Sequence, residues 1–210
     1  MTDSSMTRAE IEDANLADWR PILQALHARF RTRDFATGLR LVNQIGEAAE
    51  RADHHPDLDL RYAHLNVRLY SHDVFGVTGR DIALAREISA FAADLGVAAE
   101  PSAVSVMELA LDTPDYERIK PFWRAVLGYR DNARSDDEVR NDDGDLPTVW
   151  FQRSGATEPR QRFHIDVRVP PEVAKQRIDA AVAAGGRVVD EAATFTVLAD
   201  AEGNRVCVCI

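Results

Sequence analysis

Two neighbouring histidines and a proline, His54-His55-Pro56, stand seventeen positions before His72, and five of the six histidines lie within the first 72 residues. Imidazole titrates nearer neutrality than any other side chain, so a group of such rings suits proton transfer to and from a bound molecule. Pro56 cannot continue a helix and biases His55 towards extended backbone, which places the pair in a turn after a helix ending near Arg51. Adjacent residues in an extended segment point apart, so a metal ion shared by His54 and His55 is awkward. No cysteine or glutamate stands at a recognised ligand spacing. One ring of the pair can hold a ligand while the other moves a proton, and His72 can supply the matching acid or base. On residue types alone, three turn or surface histidines with no joint role remain the alternative.

The elements that must position these rings follow from periodicity. Leu26, Ala28 and Phe30 alternate with His27, Arg29 and Arg31, the pattern of a half-buried strand. Phe35, Leu39, Val42, Gly46 and Ala49 recur at spacings of four and three and mark an amphipathic helix over about 34–51. Leu65, Val67 and Leu69 point to one side of the next strand, and Asn66, Arg68, Tyr70 and His72 to the other. Ile82, Ala85, Ile88, Ala92 and Leu95 form a second helix, opened by a capping box at Thr78-Gly79-Arg80-Asp81. Both helices need a sheet face for their apolar stripes, so the fold class is α+β with an antiparallel sheet.

Residues 96–102 have neither periodicity and read as a short linker. The expected division is therefore a first domain over 1–98, a linker over 99–103 and a second domain over 104–210. The second domain repeats itself: a strand over 104–111 and a helix over 115–127 with Gly128 as its stop, then a strand over 163–169 and a helix over 171–184 ended by Gly185-Gly186. Strands follow each helix, so the order suggests a duplicated module. The stretch 131–145, with seven acidic and two basic residues, reads as a solvated loop.

Composition narrows the function classes. The net charge is −10, with 11 basic against 15 acidic residues up to position 98 and 14 against 20 beyond it. Both halves are acidic, which argues against nucleic-acid and anionic-membrane partners. No apolar run is long enough to span a bilayer, and the first residues lack the features of a signal peptide, so a cytoplasmic setting is expected. Cys207 and Cys209 cannot cross-link distant parts of the fold.

The run Glu50-x-x-x-His54-His55-Pro56-Asp57, with Tyr62, Val67, Leu69, Ser71-His72-Asp73, Gly76, Thr78 and 80–85, resembles the pterin-4a-carbinolamine dehydratases. Trp19, Phe30, Asp34 and Phe35 fit the same family, and the resemblance covers about residues 16–96. It implies a small α+β domain assembled as a homodimer or homotetramer, a small-molecule pterin substrate and no cofactor. The implied reaction is dehydration of a 4a-hydroxytetrahydropterin. His54 and His72 are then assigned to proton transfer, and His55 to binding and orientation. Asp53, Tyr70, Ser71 and Asp73 match positions lining the pterin site, as do Arg80 and Asp81, the latter also serving the capping box. Leu58 stands where the family often has an aromatic, Phe75 is bulkier than the usual small residue, and Ser71 replaces a usual threonine.

Phe122-Trp123-x-x-x-Leu127-Gly128-Tyr129, 163–166, 184–186 and Asp200-x-x-Gly203-Asn204 resemble the glyoxalase/bleomycin-resistance group, the vicinal-oxygen-chelate superfamily, over about 104–210. That resemblance implies two βαβββ modules around a cleft. Glu108 and His164 match two of its metal-ligand positions, and Cys207 replaces the glutamate of the last strand. The fourth position falls among Trp150, Phe151 and Gln152. A domain without metal is expected, with Glu108, His164 and Cys207 as the candidates should one bind. Two alternatives to the dehydratase stand beside it: a non-catalytic pterin-fold binding or assembly module, and a metal-dependent lyase or dioxygenase in the C-terminal half.

Overall fold

A computed structural model describes residues 4–127, 129–141, 144–154, 163–199 and 205–210. The chain divides into two compact units, Met1–Val104 and Ser105–Ile210.

Unit 1 begins with a short helix α1 (Arg8–Asp13) and a hairpin of β1 (Arg20–Ile22) and β2 (Ala25–Arg31). Then come α2 (Phe35–Ala52), β3 (Asp57–Leu60), β4 (Leu65–Leu69), α3 (Gly79–Asp94) and the two-residue β5 (Ala98–Ala99). The sheet runs β1-β2-β4-β3, all antiparallel, with β5 also on β2. Alternation dictates its two faces: Leu26, Ala28, Phe30, Leu65, Val67 and Leu69 are buried with Leu41, Ile45, Ile82, Ala85 and Ile88 of the helices. His27, Arg29, Asn66 and Arg68 occupy the opposite face, where Arg68 pairs with Asp57 at 2.6 Å.

Three sequence expectations need correction in this unit. The stripe that α2 buries is Gly38, Leu41, Ile45, Ala48 and Ala49. Phe35 and Leu39 are instead 49% and 45% exposed. Periodicity allowed either phase, and in the one observed Gly38 lies against β3, where a Cβ would stand 2.5 Å from the Leu60 Cδ1 methyl. The second correction concerns the linker. Ala98 and Ala99 pair with Arg31 and Phe30, and the Glu100 N–H donates to Arg29 O at 2.7 Å. Unsatisfied backbone beside an open strand edge found a partner there. Finally, α1, β1 and β3 are additional, because each is too short to carry a period.

Unit 2 contains β6 (Val106–Thr113), α4 (Tyr116–Leu127), β7 (Arg130–Asn132), β8 (Ser135–Arg140) and β9 (Val149–Arg153). A second set repeats the order: β10 (Phe163–Arg168), α5 (Pro171–Ala183), β11 (Arg187–Glu191), β12 (Phe195–Ala199) and β13 (Arg205–Cys209). The eight-stranded sheet runs β11-β12-β13-β10-β6-β9-β8-β7. In each module the first strand pairs parallel with the last, and β6 joins β10 antiparallel. The fold is thus α+β with paired βαβββ modules. Each has its own small core: Leu111, Val139, Val149 and Phe151 with Ile119 and Trp123 of α4, and Val169, Leu198 and Val208 with Ala174 of α5. The acidic stretch 131–145 is not a plain loop, since β7 and β8 form an edge hairpin within it. Only Val139 of β8 is buried, and β7 at the sheet edge carries Arg130 and Asp131, charges that discourage further pairing. Gly128 and the Asp200/Gly203/Asn204 motif lie outside the described residues.

Candidate functional site

Helix α2 stops in a way that fixes the histidine pair. Asp53 adopts the left-handed conformation (φ 46°), its N–H reaches Glu50 O, and the His54 N–H donates to Ala49 O at 3.1 Å. These are the bonds of a Schellman motif, with Asp53 in the place glycine usually takes. The turn sends the two rings apart. His54 is 7% exposed and points inward, whereas His55 is exposed and pairs with Glu50 at 3.0 Å.

His54 Nε2 lies 2.8 Å from Asp81 Oδ1. Asp81 is completely buried at the start of α3, where the helix field favours negative charge. Its other oxygen accepts the Thr78 N–H at 2.7 Å, the Ser71 hydroxyl at 2.6 Å and the Thr78 hydroxyl at 3.2 Å. The Thr78 N–H can only donate, so Asp81 acts there as an acceptor. His54 Nε2 and Asp81 Oδ1 share one buried hydrogen bond, whose direction follows the tautomer of the ring. Capping box and histidine contact therefore share one carboxylate.

Ser71, 1% exposed, links this network to the third histidine. Ser71 and Gly76 exchange backbone hydrogen bonds of 2.9 and 3.3 Å, closing a turn that holds His72 and Asp73 at the surface. His72 meets the buried Tyr70 edge to face, with ring centroids 5.0 Å apart, and Arg68 lies over Tyr70 at 5.0 Å. Asp73 pairs with Arg80 at 2.6 Å, a hydrogen bond that holds its carboxyl below the usual range. The structure thus brings His54, Ser71, Thr78 and Asp81 together, attaches His72, Asp73 and Arg80 to the same turn, and directs His55 and Asp53 outward. Ser71 and Asp81 spend their polar atoms on one another, which the sequence did not reveal.

Residues 4–91 match the Pterin 4 alpha carbinolamine dehydratase family. A protein from Nocardia farcinica (strain IFM 10152) named for that activity is 37% identical over 94 residues, covering 44% of this chain and 99% of the relative. The chain belongs to the pterin-4-alpha-carbinolamine dehydratase family. A relative of like name from Thermosynechococcus vestitus is 40% identical over 38% of this chain and 84% of its own length. The chain is also similar to a solved transcriptional coactivator/pterin dehydratase from Brucella melitensis, with 32% identity and a TM-score of 0.41 over 42% of this chain and 99% of that one. Residues 108–209 match a glyoxalase-like domain family. They are similar to a glyoxalase/bleomycin resistance protein/dioxygenase superfamily member from Vibrio splendidus, at 14% identity and a TM-score of 0.37 over 50% of this chain and 98% of that one.

In the glyoxalase-like unit, strand register sets Glu108, Asp166 and Cys207 side by side on one face of β6, β10 and β13. His164, Asp166 and Cys207 each place a ligand atom within 4.8 Å of the others. Glu108, expected among the donors, is instead paired with Arg168 of β10. Burial pulls the Arg168 guanidinium down, but the hydrogen bond and charge of Glu108 hold it above its ordinary value. Asp166 accepts the Trp150 indole N–H at 3.1 Å. Burial and the Asp166 charge push the Cys207 thiol up to about 12. Of the expected donors, Glu108 is neutralised by Arg168, whereas His164 and Cys207 stand with Asp166 close enough to share one ion. Asp166 and Arg168 were legible in principle, because they follow His164 at the two-residue spacing of one strand face.

Proposed function

We propose that this protein dehydrates a 4a-hydroxytetrahydropterin to the quinonoid dihydropterin, using His54 and His72 for proton transfer. The observation that carries the reading is the buried Asp81–His54 contact, in which Ser71 and Thr78 hold one oxygen of the carboxylate and the other meets the ring. In the reaction the C4a–O bond breaks, the departing hydroxyl takes a proton and leaves as water, and N5 loses its proton as the C4a=N5 bond forms. One imidazole gives a proton and the other takes one, so the step balances without a redox partner. Acid–base catalysis of this kind contributes roughly 10²–10⁴-fold. Asp53, His55, Tyr70, Ser71, Asp73 and Arg80 are proposed to bind or frame the pterin, His55 and Asp53 from the α2 turn and the others from the His72 turn and α3. The exposed Phe35 and Leu39 support assembly as a homodimer or homotetramer.

A second reading, a pterin-binding or assembly module without turnover, is favoured by one residue. Leu58 is half-buried against the core beside Val67 and offers no ring on which a pterin could stack. Stopped-flow absorbance of 4a-hydroxytetrahydropterin decides between them. The dehydratase reading expects wild-type protein to accelerate its decay well beyond the buffer rate. Decay at the buffer rate, with a stable pterin still bound, would leave the module.

A further inference from the structure

The turn that carries His72 and Asp73 contains one conformationally costly residue. Phe75, a bulky residue, sits at φ 54°, a conformation costly for side chains of its size that persists only where neighbours enforce it. Its closing bridge, Ser71 to Gly76, is a single pair of hydrogen bonds. On its outer side the turn meets the start of the chain. The Met6 N–H donates to Val77 O at 2.8 Å. A Cβ on Gly76 would lie 2.2 Å from Ser5 Oγ and 3.1 Å from Ser5 Cβ. Rotating the hydroxyl would relieve the first contact, but only a backbone shift would relieve the second.

The arriving segment is itself anchored. Met6 packs against the main core of unit 1. Thr7 caps α1 in a reciprocal box with Glu10, and Ile11 buries its side chain in the same core. Past the helix, Arg86 of α3 donates to Ala14 O at 3.0 Å. A short strap, fixed to α3 at one end, thus runs against the residue at the exit of the His72 turn. At Gly76 a Cβ would strike the strap.

We propose that residues 4–6 are a positioning strap for the reaction: by pressing on Gly76 they set where His72 and Asp73 stand relative to Asp81 and His54. The catalytic consequence rests on the dehydratase reading, whereas the mechanical one does not. Gly76→Ala forces strap and turn apart by a few tenths of an ångström, and Ser5→Gly removes both atoms it would strike, leaving the Ser5 Cα at 4.0 Å. The effect is therefore directional and reversible.

The test uses the full chain in four forms: wild type, Gly76→Ala, Gly76→Ala/Ser5→Gly, and Ser5→Leu, which enlarges the exposed strap at the same contact. Two readouts are taken, the NMR signals of the His72 ring and the dehydration kinetics. Gly76→Ala and Ser5→Leu are expected to move the His72 signals and to lower kcat about tenfold with little change in KM, since small misplacements at a reacting centre act on turnover. The double variant is expected to recover the wild-type signals and rate, which general loss of stability would not allow. His72 signals unmoved in both enlarged variants, or a double variant that fails to recover them, would overturn the strap. If wild-type protein proves inactive, the dehydratase reading falls while the NMR arm still decides the mechanical claim. Should Gly76→Ala fail to fold, Ser5→Leu decides alone.

Discussion

Both units bring a histidine beside a buried carboxylate, and they do so to opposite effect. In unit 1, Asp81 sits at a helix start with both oxygens hydrogen-bonded, and His54 is held at 2.8 Å. In unit 2, His164 lies between Asp112 at 3.6 Å and Asp166 at 3.5 Å, beyond hydrogen-bond length for either ring nitrogen. Asp166 accepts Trp150, and Glu108 is neutralised by Arg168. The first arrangement is preorganised around one ring. The second has spent its charges on neighbours, and its histidine packs edge to face on Trp150. The difference lies in the contact itself: Asp81 accepts from Ser71 and Thr78 through one oxygen and keeps the other on His54 at 2.8 Å, whereas neither carboxylate beside His164 comes that close.

The largest expected effect sharpens the inert side of this comparison. With Cys207 at about 12 and Cys209 at about 11 against an ordinary 9.0, burial first and then the Asp166 charge suppress their thiolates. For Cys207 the thiolate fraction at a given pH is about a thousandfold below that of an ordinary thiol. Iodoacetamide at pH 8.5 should leave the folded protein unlabelled at both positions and modify them after unfolding, as read by mass spectrometry. Rapid labelling of the native chain would mean that the glyoxalase-like face is reactive after all.

A pH effect follows in unit 1. Burial, then the Arg68 charge, push His27 down to about 4 from 6.5. Above 6.5 the ring is neutral folded and unfolded, so it adds no pH dependence there. As pH falls from about 6.5 to 4 the unfolded chain takes up the proton first, and stability declines by about 3 kcal/mol from this group. Urea unfolding at pH 7 and pH 4.5 should show that decline for unit 1, and a His27→Asn variant should flatten it. A wild-type slope equal to the variant's would contradict the half-buried, neutral ring.

Smaller again is the paired substitution that asks what each carboxylate holds. Asp81→Asn puts an amide where one oxygen met donors only, and should destabilise unit 1 by about 2–3 kcal/mol. Asp166→Asn can still accept Trp150 through its carbonyl, and should cost about 1 kcal/mol. Denaturant midpoints measure both, and a reversed order would undo the contrast drawn between the units.

How far the sequence reached depended on the length of each signal. The 2-residue period of 26–31 and the helical period of 81–92 spanned enough positions to fix elements and facing. A three-residue β1 and a two-residue β5 offered no period at all. In α2 the period was right and its phase wrong, because the stripe of Gly38, Leu41, Ile45, Ala48 and Ala49 is as regular as the one containing Phe35 and Leu39, and only packing on the sheet chose between them. At the site, His54, His72 and the Thr78–Asp81 cap were visible from spacing and resemblance. That one carboxylate serves both cap and histidine was not, since Asp81 and His54 are 27 positions apart and only the fold joins them. Likewise Arg168 hid from any pattern of metal ligands, being a cation where donors were sought.

The most direct test places the two histidines side by side. Stopped-flow dehydration of 4a-hydroxytetrahydropterin is measured for wild type, His54→Ala and His164→Ala, with circular dichroism showing each folded. The account expects His54→Ala to lose roughly 10²–10⁴-fold in rate and His164→Ala to stay within about twofold of wild type. A folded His54→Ala protein as fast as wild type, or a His164→Ala protein that loses the activity, would contradict it.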